Sequence, residues 1–468
     1  MHPRQVEYLK KQIANHIALF FQPRAADLFE SGMVRFLPLG QAVKLREKAI
    51  AIPFDIPVSD NQGEPYSVEL NRTRLTFSNP LPMPSGGGWN PLPNESTPLW
   101  YANDAGTLIP AWNLFGTLFH LLTFGEERGS TQRDGHGRFA ASFSPRVKGD
   151  LLEVPAFNEA VAAIVAACAG LAENGRPAYD LDGLVKPPVM VLSHDCDELK
   201  GNDRWTQMVR VARIILPLFK FKLPGLDNLW WIIRNAFTPR RFYFDNATGM
   251  LDLERSFGYT STYYLLNGSG GRFGARSKLA VSAELARIIT PGWDLGIHYN
   301  YDTFSNDQRF EAQLDQLQAA IGSKPVVGRA HYLKFDPAKS FAFWRRFGIY
   351  VDESSGYADR IGYRNGIAGC FQVYDPDSNQ PLDIRELPMT IMDTTLVRQY
   401  GEGAIAKFSQ LLFHLSRVGG AMSVVFHPGQ FFNPEHKAML GVYHKMLIEC
   451  RRQGAVSETA RSLVDRVR

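Results

Sequence analysis

The apolar positions of this chain keep one rhythm up to about residue 175 and another after it. From 4 to 29, Val6, Leu9, Ile13, Ile17 and Phe20 recur at three- and four-residue spacing, which predicts a helix with one apolar face. Between 34 and 84, short alternating runs such as Val68-Glu69-Leu70 and Leu75-Thr76-Phe77 are broken by proline and glycine and predict strands. Apolar helices are predicted again over 112–124 and 153–171. Residues 1–175 are thus expected to form a smaller α+β domain, whose role the pattern leaves unassigned.

After Pro187-Pro188 the pattern alternates strand with helix. Apolar runs near 189–193, 260–266, 294–298, 326–328, 348–351, 386–391 and 422–426 predict strands. Helical segments near 281–289, 306–320, 337–346, 400–417 and 434–452 fall between them. Alternation of this kind predicts parallel strands with crossover helices. Seven strands over 176–468 suit a (β/α) barrel, one that need not be complete, better than an open sheet. A basic, helical insertion near 200–248 interrupts the series.

Length and composition narrow the class. At 468 residues the chain is long enough for two or three domains. A net charge of +4, with basic residues scattered along the chain, argues against nucleic acid as a partner. Cys168, Cys196, Cys370 and Cys450 lie far apart without a C-x-x-C pair, so no disulfide framework is expected. The start has no apolar signal core. The stretch from Val211 to Phe221 is broken by Arg213, Pro217 and Lys220 and falls short of a bilayer span. A soluble cytoplasmic protein is the expectation, with peripheral membrane contact through the insertion left open. Oligomeric state is not indicated.

Candidate chemistry sits where the apolar runs stop. Val189-Met-Val-Leu-Ser-His194-Asp195-Cys-Asp197 ends in three groups able to bind metals or protons. Residues two apart on an extended chain share a side, so Asp195 and Asp197 face one pocket and His194 points away. Two such carboxylates suit a base beside a metal ligand, because the cation offsets their repulsion. Three further runs end similarly: Asp294-Leu-Gly-Ile-His298-Tyr-Asn-Tyr-Asp302, Val326-Val-Gly-Arg329-Ala-His331-Tyr332 and Ser423-Val-Val-Phe-His427-Pro428. Each alone reads as a cap or a structural histidine. Four successive strand ends together do not, since α/β sites are built at that end of the sheet. His136, in a polar turn, reads as an exposed loop histidine. The glycines of 267–274 miss the G-x-G-x-x-G spacing and read as a loop over the barrel mouth.

In this order these segments resemble the motifs of the polysaccharide deacetylase (NodB-homology, carbohydrate esterase family 4) superfamily. The closer likeness is to a prokaryotic branch with its own N-terminal domain. Phe257–Leu266, Ser354–Gly366 and Leu387–Asp393 resemble further segments of it. The likeness is close over 188–432 and looser over 1–170. It implies a distorted (β/α)7 barrel preceded by the smaller α+β domain, a divalent metal, expected to be zinc, and removal of an acyl group from an N-acetylated sugar or glycan precursor. It further implies that Asp195 is the base, that Asp197 and His298 bind metal, that Arg329 orients the base and that His427 is the general acid. The second histidine of the family's H-x-x-x-H motif is missing, with Asp302 in its place. His331 stands where the family usually has proline, so the third ligand is His331 or Asp302, with His331 ranked first. Asp393 or Asp359 would polarise His427. Tyr299, Tyr301, Tyr332 and Trp293 are offered as sugar-stacking rings, with core packing the blander role. Two rivals remain: hydrolysis of a non-sugar amide on the same barrel, and a catalytically silent carbohydrate-binding or assembly protein.

Overall fold

The first helix, Pro3–Phe20, starts on Pro3 with the His2 side chain accepting from the Arg4 backbone N–H, a cap that suits proline at the first helical position. It buries Leu9, Ile13, Ile17 and Phe20, the stripe expected from spacing. A second helix, Pro23–Leu28, takes up the rest of the predicted segment. The computed structural model describes residues 2–468 apart from 59–64, 71–72, 86–87, 94–97, 175–180, 269–272, 275–278, 290, 304–305 and 431–438 and, within 200–241, all but 208, 211–212 and 215–216. Most of the predicted basic insertion therefore lies outside the described residues; its end is the helix Phe242–Phe257.

The N-terminal part holds a five-stranded sheet and a hairpin. Strands β1 (Val34–Leu37) and β2 (Ala49–Pro53) are followed by the hairpin β3 (Tyr66–Leu70) and β4 (Thr73–Phe77). Next come β5 (Asn90–Leu92), β6 (Trp100–Ala102) and β7 (Thr107–Pro110), giving the sheet order β1-β2-β7-β6-β5. Helices Leu114–Leu122 and Ala156–Asn174 pack beside it. The latter is long and apolar enough to cross a bilayer by composition, but it is mostly buried within the protein. A helix apolar on nearly every face is what a fully enclosed core position requires.

The second sheet carries the site. In chain order its strands are β8 (Val189–Cys196), β9 (Ser261–Leu266), β10 (Asp294–Tyr299), β11 (Val327–Ala330), β12 (Val351–Asp352), β13 (Phe371–Asp375), β14 (Gln380–Glu386), β15 (Met389–Met392), β16 (Ala421–Val425) and β17 (Val456–Ser457). They pair in the order β13-β14-β12-β11-β10-β9-β8-β16-β15, with β17 also on β8. Every pair is parallel except the β13–β14 hairpin. The result is a curled, barrel-like sheet. Among the described residues the parallel run has eight strands, because the apolar stretch expected as one strand near 386–391 is two, divided at Leu387-Pro388.

No backbone ladder joins β14 to β15 among the described residues. The gap is spanned by loop 354–366, where Gly362 N–H donates to the Thr390 carbonyl. Gly362 has φ +144°, and a Cβ there would meet the Leu152 carbonyl at 2.5 Å, so the N-terminal segment lies directly against this loop. Side chains complete the contact. Arg146, nearly fully buried, bonds Glu126 at 2.8 Å and the Tyr363 carbonyl at 2.9 Å. Arg364 bonds Glu127 and the Gly356 carbonyl, both at 2.7 Å. Burial would push the Glu126 carboxyl up, but the Arg146 guanidinium outweighs it and holds the group below its ordinary value.

Breaking such a pair strands a buried charge. Arg146→Ala should lower stability by about 3–5 kcal/mol, measured as a shift of the urea midpoint. A loss below about 1 kcal/mol, the range of exposed pairs, would show that the bridge does not hold the two parts together.

Candidate active site

Four parallel strand ends converge. In the register of the sheet, Val425 of β16 faces Ser193 of β8, and His298 of β10 faces Arg329 of β11. The polar residues just past these positions therefore share one cleft. It is lined among others by Asp195, Asp197, His298, His331, His427 and Met389, and holds about 830 Å³ of empty space, counting that open to solvent.

Asp197, His298 and His331 bring one ligand atom each to within 4.8 Å of the others. Asp197 Oδ1 is 3.2 Å from His298 Nε2 and 3.6 Å from His331 Nε2. His298 Nδ1 lies 2.9 Å from the Arg329 carbonyl, which can only accept, so Nδ1 carries a proton and Nε2 turns either its lone pair or a second proton toward Asp197. Among the described residues Asp197 Oδ1 is itself buried without a hydrogen-bond partner. Two lone pairs at this distance repel unless a cation or a second proton lies between them. The spacing fits a tetrahedral cation with bonds of about 2.0–2.1 Å, which sets ligand atoms about 3.3 Å apart. Desolvation pulls the Asp197 carboxyl up, but His331 and His298 outweigh it and hold it well below the carboxylate range. The donor set of one carboxylate and two imidazoles suits zinc-like ions.

Asp195 lies beside this group with its two oxygens differently engaged. Oδ1 takes Arg329 Nη1 at 2.6 Å, while Oδ2 faces His298 Nε2 at 3.7 Å and His427 Nε2 at 3.8 Å. Burial pushes the Asp195 carboxyl up, yet Arg329, His298 and His427 hold it below its ordinary value. Arg329 is wholly buried and also bonds Ser193 Oγ at 2.8 Å and Glu353 at 3.2 Å, with the Tyr264 ring 4.4 Å away. On the far side, His427 Nδ1 meets both Asp393 oxygens, at 3.1 and 3.2 Å, and Asp393 also accepts the His427 backbone N–H at 2.8 Å. Desolvation would lower the His427 pKa, but Asp393 above all, then Asp197 and Asp195, push it up to about 10.

The remaining candidates separate. Asp302 is exposed on a turn and lies outside the ligand group. Asp359 accepts the Ala141 and Ser142 backbone N–H groups, so Asp393 is the carboxylate on His427. Tyr299 is buried on Asp352, and Trp293 donates to Glu254, both away from the cleft. Tyr332 lines the cleft, and Tyr301, which does not, packs with it, with Phe273 and with His136 of the N-terminal segment. His136 and Arg138 line the cleft, which the sequence did not suggest. Glu353 was also missed, although Tyr350-Val-Asp-Glu353 is another apolar run ending in acids.

His194 points away from the cleft, as the strand alternation required. Its Nδ1 is 3.0 Å from the Phe426 carbonyl and its Nε2 2.5 Å from Glu254. The Phe426 carbonyl and the Glu254 carboxylate thus hold the ring from both of its nitrogens. Ser261, Trp293 and Tyr443 donate to the same carboxylate. Because Phe426 precedes His427, this network fixes the backbone from which the His427 side chain projects.

No model of a known protein family matches the sequence, and no curated protein matches it. Solved structures do. A protein from Mycobacterium smegmatis assigned as a polysaccharide deacetylase is 13% identical with TM-score 0.40, over 60% of this chain and 90% of that one. The polysaccharide deacetylase of Bacillus cereus is 11% identical with TM-score 0.31, over 58% and 91%. Puue allantoinase is 13% identical with TM-score 0.38, over 60% and 89%. What the site can do is read from its own side chains.

Proposed function

We propose that this protein is a metal-dependent hydrolase that removes an acyl group, acetyl in the first instance, from the nitrogen of an N-acetylated sugar. The observation that carries this is that the Asp197–His298–His331 group shares a single cleft with Asp195 and His427, Asp195 Oδ2 lying 3.7 Å from His298 Nε2 and 3.8 Å from His427 Nε2. Asp197, His298 and His331 would hold the divalent cation. When bound, such an ion supplies Lewis acidity, polarising a carbonyl and acidifying water.

The chain's own groups divide the proton work. Asp195 is kept ionised by Arg329, and its free Oδ2 is placed to take a proton from water. His427, with Nδ1–H directed at Asp393, carries a second proton on Nε2 at neutral pH and can give it to the departing nitrogen. An amine leaves poorly without that proton, so the two groups act at opposite ends of one reaction. Leu333, Ala358, Met389 and Met392 give the cleft an apolar wall suited to a short acyl chain. Tyr332, which lines the cleft, suits a sugar ring. A non-sugar amide would use the same groups, and a substrate panel separates the two.

Metal analysis with amine-release assays tests this. Wild type should hold about one equivalent of metal, Asp197→Ala should lose both metal and activity, and His427→Ala should keep metal while losing about 10²–10⁴-fold in rate. A folded wild type with no metal and no amine release across broad substrates would sink the proposal.

The acid also has a pH signature. Activity should fall as pH rises through the His427 pKa, near 10. Asp393→Asn removes the main upward influence, so the alkaline limb of the rate profile should move to lower pH. An unmoved limb would exclude His427 as the acid.

A further inference from the structure

His298 and His331 meet the same carboxylate oxygen but are held by different means. His298 is fixed through Nδ1 by the Arg329 carbonyl, the usual way a ligating imidazole is oriented. His331 Nδ1 is buried and has no hydrogen-bond partner among the described residues. Its orientation therefore depends on its backbone and on the rings packed against it, His298 at 5.0 Å and Tyr332 at 4.7 Å. That backbone runs straight into Tyr332 and Leu333, whose φ values of +62° and +52° lie in the left-handed region that side chains disfavour. Two such residues in succession need support from outside the strand.

The turn at 134–138, in the N-terminal segment, provides it. The Asp134 carboxylate accepts the His136 and Arg138 backbone N–H groups, each at 2.9 Å. It also pairs with the Arg138 guanidinium, Nε at 2.8 Å and Nη2 at 2.7 Å. Held in this way, Arg138 extends Nη1 to the Tyr332 carbonyl at 2.6 Å. His136 packs its ring 4.9 Å from the Tyr332 ring and sets Nδ1 3.2 Å from Tyr301 Oη. A guanidinium fork can hold the carboxylate and the carbonyl at once, which a lysine could not reproduce.

We propose that Arg138, anchored by Asp134, is a positioning residue for the metal ligand His331, so that the N-terminal segment helps set the affinity for the cation. This rests on the metal-site reading above. Arg138 also lines the cleft, so the decisive readout is taken without substrate.

The experiment is zinc affinity of the full chain by chelator competition, with the visible spectrum of the cobalt-loaded protein beside it. Arg138→Ala should weaken zinc by about 10–100-fold, the usual cost of losing a group that orients a ligand, and should alter the cobalt bands. In a His331→Ala background the same substitution should cost nothing further. If the alanine variant does not fold, Arg138→Gln, closer in bulk, should weaken zinc in the same sense. Zinc affinity unchanged by Arg138→Ala, or an equal loss with and without His331, overturns the proposal. A wild type that binds no zinc removes the metal reading, and this inference with it.

Discussion

A guanidinium sealed inside a barrel must find its counter-charges within reach, and Arg329 finds two. Asp195 lies at 2.6 Å and Glu353 at 3.2 Å, with Ser193 Oγ, the Glu353 carbonyl and the Tyr264 ring completing the surroundings. A buried charge of this kind is tolerable only when paired and hydrogen-bonded on all sides. The two carboxylates do not share it equally. Asp195 also feels His298 and His427 and is held below its ordinary pKa, whereas burial pushes Glu353 up, with Arg329 only partly opposing and Asp195 adding to the rise. Asp195, the carboxyl held low, is also the one of the two that opens to the cleft.

The acids deeper in the barrel support the same division. Asp352 and Glu386 are Cα partners on β12 and β14, and burial pushes both upward, Asp352 to about 6. Keeping a proton on this pair limits the competing negative charge beneath Arg329. Tyr299 donates to Asp352, and Ser355 N–H to Glu386 Oε1, both donors that carry no charge.

Strand ends were legible because each apolar run stops at a polar group, and the same rule placed Asp195, Asp197, His298, Arg329, His331 and His427 near one another before any coordinates. It failed where the neighbour is distant in sequence. Nothing local says that Glu353 would turn inward to Arg329, or that Asp393 rather than Asp359 would reach His427. The β13–β14 hairpin was missed because an antiparallel pair interrupts the strand–helix rhythm on which the barrel was recognised. Asp302 was misleading for a geometric reason. Residues four apart share a face on a helix, but after β10 the chain makes a turn, which leaves Asp302 exposed. The second imidazole of the group, His331, comes from the end of the next strand instead.

That substitution changes what the site depends on. A second histidine four residues after His298 would have been positioned by its own segment. His331 follows a strand of only four residues and precedes a left-handed turn, so its placement is a tertiary matter. The gap between β14 and β15 raises the same issue on the other side of the cleft, where loop 354–366 supplies Ala358 to the wall. Arg146 and Glu127 reach that loop from the N-terminal segment, while Arg138 reaches Tyr332. Backbone pairing would have held either place without side chains. Here ionic side chains from a preceding segment do so, which is costly in desolvation but fixes direction as well as distance. The N-terminal segment is best understood as part of the walls of the cleft.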